Sequence, residues 1–285
     1  MLKTFQRRRA MSASKTDRLN LLLCGGQRCG TSSLKHYLSE HPEIGFLNDT
    51  DLDVDGTHYG YPFASPILGV AAAGESPDVY RAISRRLAGK KAHIATKQPY
   101  FMVHPHVPLN LREHLPDARL LFVLRNPVDA AYSAFRNGRS KGRRSGTFEE
   151  AIQLSLDEGR EVAHPDRRAG WSKFFRDPDQ IPLLVDRGFY YQQIIRFYRC
   201  LREEQILVLR FDEFTRDTRA TMRRVLEFLD LDPAFDFSSI NEVKNAAPLE
   251  KPMAPETRAA LRELYRESNQ KLLRLLGWPA DLWDA

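Results

Sequence analysis

The most constraining stretch of this chain is Leu19 to Glu40, where a short apolar run, LNLLLCGG, passes through glycines into an amphipathic segment. The apolar run reads as a buried strand ending at Gly26. Thr31 to Glu40 reads as a helix with Leu34 and Leu38 on one face, stopped by His41-Pro42. A strand feeding a helix through glycines commits the chain to strand–helix–strand units, and hence to a sheet with helices on both faces.

The same alternation recurs downstream. His93 to Phe101 and Gln205 to Phe211 read as strands, and Ala118 to Leu124 is the clearest strand of the chain. Helices are expected over Asp78–Leu87, from Pro127 onward with Asn126 as cap, and over Thr147–Glu158, Phe189–Leu201 and Arg219–Leu229. A long one is expected over Thr257–Leu276, with Leu261, Leu264, Leu272 and Leu275 facing the core. The expectation is one α/β domain over 18–285, with a mainly parallel central sheet flanked by helices and a P-loop-like anion loop. Residues 1–17, charged and without periodicity, read as a flexible tail. Residues 45–77 read as a long loop, expected to shape a pocket together with the stretch 139–185, which carries Trp171, Phe174 and Phe175.

The loop Gln27-Arg28-Cys29-Gly30-Thr31-Ser32-Ser33 suits an anion. Amides at a helix start point outward, three hydroxyls add donors, and Arg28 adds a planar cation. The nucleoside-triphosphate loop needs Gly-Lys-Ser/Thr, and no lysine precedes the hydroxyls here. A second candidate is Arg125-Asn126-Pro127 with Ser133 on the helix that follows. The balance of 43 Lys and Arg against 37 Asp and Glu, a net +6, agrees with an anionic ligand. The basic residues are spread rather than striped, so nucleic acid is not expected as a partner. Three cysteines, Cys24, Cys29 and Cys200, form no disulfide or zinc pattern, and the longest early apolar run is too short to span a bilayer. The expectation is a cytoplasmic protein without stable membrane insertion.

In these residues the chain resembles the PAPS-dependent sulfotransferases (PAPS is 3′-phosphoadenosine 5′-phosphosulfate), over roughly residues 19–278. Gln27 to Leu34, followed by His41-Pro42-Glu43-Ile44, is similar to the family's 5′-phosphosulfate loop, with Cys29 where serine is usual. Arg125 and Ser133, with seven residues between them, resemble its 3′-phosphate site. Tyr190, in GFYYQ, resembles a tyrosine near the nucleotide, although an aromatic of the core reads equally well. The resemblance implies sulfuryl transfer from PAPS, leaving PAP, to a hydroxyl of a small-molecule, lipid or carbohydrate acceptor, with no metal required. It implies that Gln27 to Ser33, Arg125, Ser133 and Tyr190 bind the donor. Arg28, too basic for a general acid, would stabilise charge electrostatically. Lys97, in Lys97-Gln98-Pro99-Tyr100, resembles a lysine that touches the transferred group, with Gln98 replacing a hydroxyl residue and the tyrosine one place early.

For the base, the carbohydrate-modifying branch carries Lys-Glu where this chain has Asn48-Asp49. Asp49 is therefore one candidate, and His58, whose type titrates near neutrality, is the other. Asp51, Asp53 and Asp55 lie between them. Pro62 stands where a calcium loop would need its glutamate, so no metal is expected. Two rival functions share these features, namely a P-loop-type nucleotide kinase and a non-catalytic anion-binding module.

Overall fold

A computed structural model describes residues 15–48, 51, 53–54, 57–58, 78–162, 184–240 and 252–284. The chain runs β1 (Leu21–Leu23), α1 (Thr31–Leu38), β2 (Ile44–Phe46), β3 (Asp53–Val54), β4 (Thr57–His58), α2 (Asp78–Ser84) and β5 (His93–Lys97). There follow α3 (Val107–His114), β6 (Arg119–Leu124), α4 (Pro127–Ser140), α5 (Phe148–Val162), α6 (Tyr190–Cys200), β7 (Ile206–Arg210), α7 (Phe211–Arg216), α8 (Thr218–Phe228) and α9 (Pro255–Leu276).

Five strands form one parallel sheet in the order β2-β5-β1-β6-β7, and β3 and β4 form a separate antiparallel pair. Strand alternation splits the core into two layers. Leu22, Ile94, Leu120, Phe122 and Val208 point to the side covered by α3, α6 and α9. Leu21, Leu23, Ala95, Leu121, Val123 and Leu207 point to the side covered by α1 and α8. Each fully buried leucine or phenylalanine contributes about 1.5–3 kcal/mol. Both faces being covered explains why the strands read as unbroken apolar runs.

Three expectations change. β2 begins at Ile44 and runs into the 45–77 stretch expected to be loop; three residues are too few to show alternation, and the pairing Ile44 to His93 through Phe46 to Ala95 makes the strand. α9 buries Leu261, Tyr265, Ser268 and Leu272, while Leu264 and Leu275 are 39% and 40% exposed. The buried stripe steps through Tyr265, and Leu264 sits one residue, about 100°, away from it. Thr16, placed in the expected tail, pairs with Lys91 through the backbone (2.8 Å). Among the described residues no helix is long and apolar enough to cross a membrane.

Candidate active site

Both anion motifs leave carboxyl ends of the two central strands, where parallel sheets bind ligands. Gly25 and Gly26 end the run from β1. A Cβ on Gly25 would lie 2.3 Å from the Val123 amide nitrogen and 2.9 Å from its carbonyl oxygen. The glycine is thus required by close approach to the neighbouring strand β6. Arg28 has φ 65° and Gly30 φ 88°. Two left-handed residues turn the chain sharply into α1, whose N-terminus carries neither a side-chain cap nor an acidic residue. Its first amides have no intrahelical acceptor and face the loop's mouth with the positive end of the helix dipole.

The side chains of the loop go three ways. Arg28 reaches α4, donating from Nε to Ser133 Oγ (3.3 Å) and from Nη1 to Asn137 Oδ1 (3.3 Å). Ser32 Oγ accepts from Lys97 Nζ (3.2 Å). Gln27 donates from Nε2 to the Tyr100 hydroxyl (2.9 Å) and accepts from Arg187 Nη1. Cys29 is fully buried, its Sγ 3.8 Å from the Tyr190 hydroxyl, and burial pushes its thiol up to about 11. Its contribution toward a ligand is therefore limited to its backbone. Tyr190 is itself buried, against Cys29 and Trp283, and supports the loop from beneath.

The second motif starts as the sequence suggests: Asn126 caps α4, accepting from the Val128 amide (3.0 Å), and Pro127 takes the first helical position. Arg125 lies over the Phe211 ring, 4.7 Å from its centre. Phe211 also fixes Gly30, since a Cβ there would come within 3.2 Å of the ring. Burial, then Arg125 and Arg136, lower the pKa of Arg28. Arg125 and Arg136 thus lie near enough to Arg28 to disfavour its charge, while Arg28 itself donates to Ser133 and Asn137; such a cluster of cations and polar side chains suits a phosphate. Lys97 also has a lowered pKa, through burial first and then Lys35 and Lys141.

Sequence reasoning missed Asn137 and Arg187 as site residues. Asn137 was within reach, because it lies one turn beyond Ser133 on the same helical face. Arg187 carried no local signal; a 3₁₀ turn over Asp186–Gly188 delivers it. Of the base candidates, Asp49 lies outside the described residues, as do Trp171, Phe174 and Phe175. His58 is placed only by its backbone, in register with Asp53. Their neighbour Asp51 is engaged by Arg86 at two points (2.7 and 2.9 Å) and accepts from the Asn48 amide (2.8 Å). Among the described residues no group of His, Cys, Asp or Glu is placed to hold a metal.

A sulfotransferase-domain family model matches residues 19–268. Human carbohydrate sulfotransferase 15 is 26% identical over 178 residues, covering 59% of this chain and 31% of that protein. Bovine bifunctional heparan sulfate N-deacetylase/N-sulfotransferase 2 is 22% identical, covering 95% of this chain and 31% of that protein. The chain therefore spans about a third of the length of these curated relatives. A sulfotransferase structure from Alicyclobacillus acidocaldarius shares the fold with a TM-score of 0.67 at 23% identity, covering 94% of this chain and 99% of that one. A mouse sulfotransferase complexed with PAP gives 0.51 at 14% identity, covering 93% and 89%.

Proposed function

The chain belongs to the sulfotransferase-domain family, and on that premise we propose that it moves a sulfuryl group from PAPS to a hydroxyl of a carbohydrate, lipid or other small acceptor. The observation that carries this reading is the bond from Arg28 to Ser133, which joins two anion motifs about a hundred residues apart into one site. A donor nucleotide with phosphates at both its 3′ and 5′ positions needs such a pair.

PAPS supplies an activated sulfur whose bond to the phosphate oxygen breaks as the acceptor oxygen attacks. The chain's own groups do the rest. The amides at the start of α1, with Thr31, Ser32 and Ser33, are assigned to the 5′ end. Arg125, Ser133 and Arg28 are assigned to the 3′-phosphate. The position of Arg28 supports this placement more directly than one beside the breaking bond. Lys97, against Ser32, is then the cation best placed to stabilise charge as it develops on the leaving oxygen. A base must take the acceptor proton, and Asp49 and His58 keep that assignment. The three free cysteines support a reducing compartment such as the cytoplasm.

The test has two arms. Calorimetry with PAP in the absence of metal should show binding, and ATP with magnesium should bind far more weakly. Labelled PAPS incubated with an extract of host metabolites should give sulfated products by mass spectrometry. Preference for ATP with magnesium, and no transfer from PAPS, would replace this reading by a kinase.

A further inference from the structure

The Gln27 side chain lies between two groups brought from distant parts of the chain. Tyr100 sits on the 3₁₀ turn Pro99–Met102 that follows Lys97, and its hydroxyl accepts from Gln27 (2.9 Å). Arg187 comes from the turn before α6, donates to the other end of the same amide, and stacks over the Tyr100 ring at 4.9 Å. The three side chains close on one another, each touching the other two. Gln27 immediately precedes Arg28, whose backbone is held at φ 65°. A left-handed arginine persists only when its surroundings over-determine it.

We propose that Arg187 is a positioning residue: acting through Gln27 and Tyr100, it clamps the loop that carries Arg28 to the turn that follows Lys97. In catalysis the inference rests on the sulfotransferase reading, because the two cations so registered are those assigned to the donor. The clamp itself is a property of the fold. Its planar fork matters as well as its charge, since one face stacks on the ring while an edge donates to the amide; a lysine can do neither in the same way.

The consequence is a split between turnover and binding. Arg125 and Ser133 do not depend on Gln27, and Arg28 keeps its bonds to Ser133 and Asn137, so PAP affinity in Arg187→Ala should fall less than kcat, by under about tenfold. Turnover depends on the relative placement of Arg28 and Lys97, and a misplacement of about 1 Å can cost about 10²-fold. We expect kcat to fall by about 10–100-fold. Arg187 already lines a small pocket with Gln27, Ala130, Ala131 and Tyr190, so its truncation enlarges an existing space and should leave the chain folded.

Hydrogen exchange gives a readout that needs no substrate. Amides of residues 26–33 should exchange at least about tenfold faster in Arg187→Ala, with β6 and β7 unchanged. Arg187→Lys should behave like the alanine variant in both assays. Unchanged exchange in Arg187→Ala, or full kcat in Arg187→Lys, overturns the inference. Equal losses of PAP affinity and kcat would overturn it too, by making Arg187 a donor ligand. If wild type neither binds PAP nor transfers sulfuryl, the proposed function fails, and exchange alone then decides whether the clamp exists.

Discussion

Gly25→Ala tests the argument that this glycine serves the sheet. The new Cβ would start 2.3 Å from the Val123 nitrogen, whereas ordinary contacts begin near 3.4 Å. The neighbour is backbone in the middle of a parallel sheet, so no side chain can swing away. The end of β1 must retreat from β6 by about 1 Å, more than a close-packed interior absorbs freely. That retreat breaks the bond from the Gly26 amide to the Val123 carbonyl (3.1 Å), at about 1 kcal/mol. Overpacking adds about 1–3 kcal/mol. The sum, about 2–4 kcal/mol, corresponds to a Tm lower by roughly 5–15 °C for a chain of this size. Because the loop moves with Gly26, PAP affinity should fall about tenfold as well. Thermal melts with and without PAP, beside calorimetry, measure both effects. Gly142→Ala is the control: that glycine has φ 67° and no atom within 4 Å of a Cβ, so only conformational strain of about 1 kcal/mol is at stake. If Gly25→Ala melts within a degree of wild type and binds PAP normally, the close approach is not what requires glycine.

Four further outcomes are expected. Arg125→Ala should weaken PAP by about ten- to a hundredfold and adenosine 5′-phosphosulfate, which lacks the 3′-phosphate, far less; equal losses would remove Arg125 from that role. The Lys97 ammonium, with its lowered pKa, loses its proton at a lower pH than free lysine, so kcat/KM should fall on the alkaline side; Lys97→Arg, which stays charged, should move that limb to higher pH, and an unmoved limb would exclude Lys97 as the titrating group. Glu40 accepts bonds from the amides and hydroxyls of Ser238 and Ser239, which hold its pKa down against the burial that raises it; this stabilisation is present above the ordinary carboxylate range and lost as pH falls through the depressed value, so the Tm gap between wild type and Glu40→Ala should narrow in acid. Asp49→Asn and His58→Ala separate the base candidates: the one that serves should lose about 10²–10⁴-fold in kcat with PAP affinity unchanged, and normal kcat in both would assign the proton to another group.

What was legible in the sequence was whatever local chemistry decides. Asn126-Pro127 announced a capped helix, and Ala118 to Leu124 announced a central strand, because cap geometry and burial on both faces act over a few residues. The two anion motifs were readable for the same reason, since glycine turns and helix starts are local devices. What was not legible depended on pairing across distance. β2 exists because β5 lies beside it, and the true face of α9 is set by Tyr265, whose hydroxyl donates to the Val185 carbonyl (2.8 Å). The destination of Arg28, across to Ser133 and Asn137, likewise needed the fold, since the sequence shows which charge is present but not which way it turns.

The strand order carries a lesson about how such a chain can diversify. β2 and β5 are neighbours at one edge of the sheet, and everything between Phe46 and His93 leaves from one and returns to the other. The excursion is attached at β2 and β5, whereas Gln27 to Ser33 and Arg125 follow β1 and β6 on the other side of β5. It can be lengthened, shortened or grafted from another protein as a cassette, without rethreading the nucleotide half. In a swap of this kind, recognition of the acceptor would be inherited with the cassette and use of the donor with the scaffold.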